Sequence, residues 1–163
     1  MKILVTGSTE ITDEKLISKY CVDAISKLQY MFDVRTTDVE VVSVHETRGV
    51  SWYVERWANK NNLKLTLFKT DWNDITTQPV WIGINTYGQY NKLAGKNRNI
   101  NAVDYIKSDV VGCIVFDDGK DKNVKDVVRL VKKTSVPLWQ INCKDKEDVK
   151  IKIWNAGEYD YGI

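Results

Sequence analysis

Hydrophobic residues along this chain form short apolar runs that alternate with stretches of helical spacing. Five runs predict β-strands because they are short, apolar and bounded by turn-forming residues. They are KILVTGS at 2–8, VEVVSV at 39–44, LKLTLF at 63–68, VVGCIVF at 110–116 and VPLWQI at 136–141. Between the runs, helical spacing of apolar residues predicts helices at 16–28, 50–58, 92–108 and 123–133. The tail alternates through Val149, Ile151 and Ile153, which predicts an extra edge strand.

The order of these elements specifies an α/β domain. Strands separated by helices, most of them almost continuously apolar, are typical of a parallel sheet that is covered on both faces. We therefore predict a single Rossmann-like domain over residues 1–163, with a mostly parallel sheet of about five strands, helices on both faces, and an edge strand and tail at 149–163. Residues 69–91 show no sustained period and are predicted to form a long loop, and such loops are usually functional.

Composition and charge exclude several classes of function. The 163 residues are 43% hydrophobic and 28% charged, which suits one globular domain, and a net charge of +2 gives no reason to expect duplex nucleic acid as a partner. The apolar runs are too short to cross a membrane and Lys2 opens a strand, so we expect a cytoplasmic protein without membrane association. Three widely spaced cysteines and one histidine indicate neither a disulfide framework nor a zinc site, and we expect no metal and no cofactor.

Polar side chains follow four of the predicted strands, where parallel sheets bind ligands, and these corners read GSTE, HETRGVS, KTDW and DDGKDKN. In the second corner, His45 can donate or accept a hydrogen bond and Glu46 can act as an acid or base, although such residues often only cap a helix or face solvent. Strand alternation would place the two side chains on opposite faces, so only Glu46 is expected to enter a pocket. Arg48 suits a phosphate or a carboxylate partner, because the positive end of the helix dipole repels it.

A basic cluster and two aromatic residues add further candidates. Lys92, Lys96 and Arg98 are concentrated in KLAGKNRN around two small residues, which would let an anion approach the backbone, or they form a solvated helix face. Trp72 and Tyr87 lie in or beside the predicted loop and are candidates for stacking on a base.

In this order, the motifs resemble the SLOG superfamily of Rossmann-like nucleotide-binding proteins, and in particular its small YspA-like branch. The pattern of that branch contains TGSR, GGARGAD, a helix with WA, PADW, YGKxAGxxRN and an acidic or glycine-rich turn. Its counterparts over about residues 2–141 are TGST, HETRGVS, RWA, KTDW, YGQYNKLAGKNRN and CIVFDDGKDKN. The resemblance implies a nucleotide or nucleotide-derived ligand such as a nucleoside phosphate or ADP-ribose. Some relatives are nucleoside 5′-monophosphate phosphoribohydrolases, and others are sensor domains for NAD-derived signals.

The resemblance also implies roles for individual residues. Gly7 and Ser8 would line the pocket floor, Arg48 and Gly49 the second corner, and Gly95, Arg98 and Asn99 the phosphate side. Corners, loop and resemblance together define the candidate ligand-binding set. Its members are Gly7, Ser8, Thr9, His45, Arg48, Gly49, Ser51, Trp72, Tyr87, Lys92, Gly95, Arg98, Asn99, Asp118 and Gly119.

The chain departs from the family pattern at informative positions. His45 and Glu46 stand where the family has two glycines, Ser51 stands where it has an aspartate, and the glycine-threonine of the phosphate turn appears as lysine and asparagine. The glutamate that follows this turn in the phosphoribohydrolases corresponds only to Asp126. Glu46 and Asp126 are therefore the candidate catalytic carboxylates, since glycosidic cleavage needs a carboxylate beside an oxocarbenium-like transition state.

Three functions stay open on the sequence. The first is a nucleotide-binding protein with N-glycosidase activity. The second is a non-catalytic sensor or sequestering protein for a nucleotide signal, which the broken motifs favour; a virus-encoded counter-defence protein of a phage would suit the Lys- and Asn-rich composition. The third is a protein-interaction module that uses Trp139, Trp154, Tyr159 and Tyr161, because interfaces are enriched in aromatic residues. A homo-oligomer is expected.

Overall fold

The fold is a Rossmann-like α/β sandwich in a computed structural model that describes residues 1–107, 110–155 and 157. The helices within these ranges are α1 (Glu14–Phe32), α2 (Val50–Lys60), α3 (Ala94–Tyr105) and α4 (Lys122–Lys132). The strands are β1 (Lys2–Gly7), β2 (Glu40–Ser43), β3 (Lys64–Leu67), β4 (Ile82–Asn85), β5 (Gly88–Asn91), β6 (Val111–Asp117), β7 (Leu138–Asn142) and β8 (Lys150–Trp154).

Six of these strands form one sheet in the order β3-β2-β1-β6-β7-β8. Neighbours from β3 to β7 are parallel, and β8 pairs antiparallel with β7, with Trp139 opposite Ile153. The predicted parallel sheet and the edge strand of the tail are therefore confirmed. The chain leaves β1 on one side towards β2 and returns on the other side at β6, which makes the carboxyl ends of β1 and β6 the topological switch point of the sheet.

Alternate side chains of the strands serve two hydrophobic cores. Ile3 and Val5 of β1 pack in the core that contains the buried faces of α1 and α2, whereas Leu4 packs in the core that contains α3 and α4. This alternation is the geometry of a pleated strand, and burying each aliphatic side chain stabilises the fold by about 1.5–3 kcal/mol. The predicted coverage of both faces is confirmed.

The segment predicted as a loop, 69–91, contains a hairpin. β4 and β5 pair antiparallel with each other, with Ile84 opposite Gln89, and in the described part of the chain they do not join the main sheet. Gly88 has φ +113°, and the side chain of Asn85 accepts a hydrogen bond from the N–H of Tyr87 at 2.9 Å, which together make the tight turn. Each strand has four residues, which is too short to show a period.

Of the four aromatic residues assigned to an interaction module, Trp139 and Trp154 lie among the described residues. Trp139 is fully buried in the core, so its use at an interface was a wrong expectation. Trp154 is half-buried, donates to the side chain of Gln140 at 3.0 Å, and lies under two lysine side chains. Tyr159 and Tyr161 lie outside the described residues. None of the described helices has the length and apolar character to cross a membrane.

Candidate functional site

The switch point is closed by hydrogen bonds between two turns of the chain. Ser8, directly after β1, is buried, and its hydroxyl donates to Asp118 Oδ2 at 2.7 Å. The N–H of Thr9 donates to Asp121 Oδ2 at 3.4 Å. Asp121 also caps α4 by accepting from the N–H groups of Asn123 and Val124. The Ser8 hydroxyl, the Thr9 N–H and the carboxylates of Asp118 and Asp121 thus already have hydrogen-bond partners within the protein.

The switch point carries negative charge. Burial raises the pKa of Asp118, but hydrogen bonds from the Ser8 hydroxyl and from two backbone N–H groups, together with the charge of Lys120, outweigh it and hold the pKa below its ordinary value. Asp118 is therefore ionised near neutral pH and lies beside the Asp121 cap. Two carboxylates at this position disfavour a phosphate there.

The glycines of the first two corners are required by close packing of the chain on itself. Gly49 has φ +76°, and a Cβ there would overlap the backbone of Thr9 and lie 2.5 Å from the carbonyl oxygen of Ser8. The N–H of Val50 donates to that carbonyl at 3.2 Å, so the start of α2 is fixed against the turn after β1. The free side of Gly7 is filled by Val50 and Phe116, and that of Gly119 by Lys144.

Arg48 and Ser51 flank the same corner. Arg48 donates to Glu10 at 2.7 Å, so it has the carboxylate partner that the sequence left as one alternative, and both side chains are exposed. Ser51 is buried, and its hydroxyl has no hydrogen-bond partner among the described residues.

A second region at the carboxyl ends of the strands forms a cleft of about 490 Å³, which we call the α3 cleft. Its wall comes from the ends of β2 and β3, the residues that follow β5, and the start of α3. The lining residues are His45, Glu46, Thr47, Lys69, Thr70, Trp72, Lys92, Leu93, Gly95, Lys96, Arg98 and Asn123. The cleft thus brings together six of the predicted residues, namely His45, Glu46, Trp72, Lys92, Gly95 and Arg98. The other predicted ligand residues lie outside its lining.

Arg98 is the most deeply buried charged group of the α3 cleft, with only 3% of its side chain exposed. Its Nη1 donates to Glu46 Oε1 at 2.9 Å and to the hydroxyl of Thr70 at 3.1 Å. Its Nε and Nη2 both donate to Asn99 Oδ1. The guanidinium therefore ties the second corner to the end of β3 and to α3, a role that the resemblance did not imply.

Behind Arg98, a polar chain continues away from the cleft. Asn99 donates to Asp126 Oδ2 at 3.1 Å, and Arg129 donates to Asp126 Oδ1 at 2.8 Å. Asp126 is nearly buried on α4 and does not line the cleft, so the structure separates the two candidate catalytic carboxylates.

His45 and Glu46 both line the α3 cleft, but their side chains have partners on opposite faces of the sheet. Glu46 contacts Arg98 of α3, whereas His45 contacts Glu55 of α2, which agrees with the predicted alternation. The backbone pairing continues beyond β2, because the N–H of His45 donates to the carbonyl of Phe68 at 3.1 Å. His45 Nδ1 lies 3.0 and 3.1 Å from the two carboxylate oxygens of Glu55, which also accepts from the Ser43 hydroxyl at 3.0 Å. Because a carboxylate oxygen accepts hydrogen bonds, the Nδ1–H of His45 donates to Glu55 and fixes the orientation of the ring.

The start of α3 makes one end of the cleft electropositive. No side chain caps this helix and its first turn has no acidic residue. A Cβ on Gly95 would contact only Asn123, at 3.5 Å, so the backbone is open there. Among the described residues, neither Lys69 nor Lys96 has a carboxylate within salt-bridge distance, and Lys92 Nζ lies 4.9 Å from the centre of the Trp81 ring. Three lysines that form no salt bridge among the described residues thus line the same cleft as the positive end of the α3 dipole.

The predicted stacking residues Trp72 and Tyr87 line a common pocket of about 660 Å³ beside the β4–β5 turn, and only Trp72 also lines the α3 cleft. Trp72 lines the cleft, is half exposed, and makes an edge contact with Tyr90 at 6.5 Å between ring centres. Tyr87 is 97% exposed in the β4–β5 turn and does not line the cleft.

Five lining residues were missed as candidates, whereas Lys96 was identified as part of the basic cluster. The missed residues are Thr47, Lys69, Thr70, Leu93 and Asn123. A signal existed for two of them, because Lys69 and Thr70 open the corner KTDW, which directly follows a predicted strand.

The fold and the cleft define a Rossmann-like α/β domain with a basic cleft beside the switch point of its sheet. No protein-family model matches the sequence, and the search of curated proteins finds no match either. In the part of the chain that the structure describes, no group of three histidine, cysteine or acidic side chains is placed to hold a metal ion.

Proposed function

We propose that the protein binds a nucleotide-type ligand, such as a nucleoside phosphate or an ADP-ribose-like molecule, in the α3 cleft. The observation that carries the proposal is the uncapped start of α3 beside Lys69, Lys92 and Lys96. Free backbone N–H groups and unpaired ammonium groups provide the donors and the charge that a phosphate needs. Asp13 and Asp121 cap α1 and α4, so those two helix starts already have their acceptors.

Trp72 supports a nucleotide over a simple anion. Its half-exposed ring lies in the cleft wall, where a base can stack on it while the phosphate contacts the start of α3. The resemblance of YGQYNKLAGKNRN to the phosphate side of the SLOG pattern agrees with this placement.

The arrangement favours a non-catalytic binder, a sensor or sequestering protein, over an N-glycosidase. Glu46 is the only carboxylate among the described lining residues, and one of its oxygens is held by Arg98. A carboxylate engaged in this way is less available to stabilise positive charge on a ribosyl carbon. N-glycosidic cleavage is a second candidate because the Glu46 carboxylate lies in the cleft wall.

Calorimetric titration with AMP, ADP-ribose, NAD and cyclic nucleotides tests the proposal. We expect at least one ligand with a micromolar dissociation constant, about −8 kcal/mol, and no comparable binding of adenosine, which has the base but no phosphate. Lys96→Ala should weaken the binding by about 1.5–3 kcal/mol, the range for hydrogen bonds to charged groups, whereas Lys146→Ala, at an exposed lysine outside the cleft, should not.

Absence of binding across this panel by the folded protein would contradict the proposal. Chromatography of the same mixtures after long incubation separates the two candidates. Release of free base by the wild type and not by Glu46→Gln would establish the glycosidase, and binding without release would establish the binder.

A further inference from the structure

We propose that the β4–β5 hairpin is a self-association surface, on which a second copy of this chain docks through the face that carries Ile82 and Ile84. Among the described residues, the exposed large hydrophobic side chains are Val22, Tyr30, Leu67, Trp72, Trp81, Ile82, Ile84 and Tyr87. Half of them belong to the short segment 81–87. Ile84 is 79% exposed and Tyr87 is 97% exposed. Single exposed apolar residues are ordinary, but a concentration of them in one element marks an interaction surface.

The absence of charge in this segment favours a second copy of the chain as the partner. Residues 75–91 contain no charged side chain, in a chain that is 28% charged overall. In a two-fold symmetric interface the same patch lies on both sides, so any charge near the axis meets its own kind. A surface without charge avoids that repulsion, and the small net charge of +2 adds little repulsion between whole copies. Charged partners would find no complementary group on the hairpin, whereas a second hairpin matches it.

The backbone of the hairpin agrees with this occupant. In the described part of the chain, β4 and β5 pair only with each other, so each strand has one edge without a strand partner. Ile82 and Ile84 are two residues apart on β4 and therefore point to the same face. A two-stranded hairpin is marginally stable in isolation, and docking on an identical hairpin covers an apolar face and an open edge at once.

The exposed apolar area supplies part of a standard interface. Trp81 directly precedes Ile82 and lies with Lys92 on the other face of the hairpin, so it does not contribute. At about 200 Å² for a fully exposed aromatic side chain, with isoleucine somewhat smaller, Ile82, Ile84 and Tyr87 together expose roughly 400 Å² in each copy. A standard interface removes about 800 Å² from each partner. The uncharged polar residues Asn85, Thr86 and Gln89 of the same hairpin are exposed and can supply the remainder as a rim.

The oligomeric state tests the inference. Sedimentation velocity of the full chain over a wide range of concentration should show a species of twice the monomer mass, which Ile84→Lys converts to monomer. Tyr30→Lys is the matched control, because Tyr30 is 89% exposed but lies on α1, away from the hairpin, and it should leave the dimer intact. Circular dichroism should show the same secondary structure in all three proteins.

A charge-swap mixture tests the symmetry. Ile84→Asp alone should also be monomeric, and mixing Ile84→Asp with Ile84→Lys should restore the dimer, because opposite charges then face each other across the axis. The inference is overturned if the wild type is monomeric throughout, if both Ile84 variants remain dimeric, or if the mixture does not associate. The readout is independent of the α3 cleft, so a failure here leaves the proposed ligand untouched.

Discussion

Arg98 is a buried positive charge whose cost of desolvation is offset by four hydrogen bonds to three oxygen atoms. Glu46 supplies the opposite charge, and Thr70 and Asn99 supply neutral acceptors. A buried ion pair is weak support for stability by itself, but removing one partner leaves an uncompensated charge, which costs about 3–5 kcal/mol. The same carboxylate lines the cleft. Chemistry at Glu46 and stability of the fold are therefore coupled at this residue.

Glu46→Gln should lower the free energy of unfolding by about 3 kcal/mol, because it removes the charge that compensates Arg98. The matched control is Glu10→Gln, which breaks the pair with Arg48. That pair has 68% and 66% of its side chains exposed, and its loss should cost less than about 1 kcal/mol. Urea denaturation of the three proteins measures the difference. Equal, small losses would mean that water compensates Arg98 when Glu46 is neutralised.

At the scale of the element, strands and helices with a sustained period could be predicted from the sequence. β6 and α4 are examples, because VVGCIVF is continuously apolar and four valines of α4 share a buried face. The β4–β5 hairpin could not be predicted. Its strands are short, and its turn depends on the Asn85 side chain and the positive φ of Gly88 rather than on a hydrophobic pattern.

The sequence predicted which positions after the strands lie at the candidate site, but it did not predict which side chains pair with each other there. Strand order places the residues that follow β2 and β3 beside each other, so the corner rule finds His45 and Glu46, whereas Lys92 was found as part of the basic cluster. The pairing of Glu46 with Arg98 joins positions 52 residues apart, and no local pattern encodes it. The same limit applies to Ser8 and Asp118, whose hydrogen bond decides that the switch point is closed.

Gly49 connects two elements and has a measurable role at this scale. Gly49→Ala should lower the free energy of unfolding by at least about 2 kcal/mol, because alanine at φ +76° is strained and its Cβ would overlap the turn after β1. Gly95→Ala is the contrasting variant. It lies in α3 with open space around it, so alanine should stabilise by up to about 1 kcal/mol. Thermal denaturation distinguishes the two. A neutral effect of Gly49→Ala would show that the α2 start can move away from the turn.

At the scale of the whole molecule, negative and positive charges lie in two separate regions at the carboxyl ends of the strands. The switch point holds Asp118 and Asp121, and the α3 cleft holds three lysines beside a positive helix end. The chain as a whole is almost neutral, with a net charge of +2. The lysines therefore concentrate positive charge at this cleft. This charge lowers the stability of the fold, because like charges and an unopposed helix dipole lie together.

This division predicts that function and stability oppose each other at Lys96. Lys96→Ala should raise the free energy of unfolding of the ligand-free protein by about 0.3–1 kcal/mol, since it removes a cation from the first turn of α3. The same variant should lose affinity for nucleoside phosphates, and its gain in stability should shrink in high salt, which screens the dipole and the lysines. Lys146→Ala, at an exposed lysine outside the cleft, should change stability by less than about 0.5 kcal/mol. Denaturant titrations at low and high ionic strength measure the changes in stability of both variants, and calorimetric titration measures the change in affinity. A loss of stability in Lys96→Ala would identify this lysine as a structural residue and remove it from the proposed phosphate site.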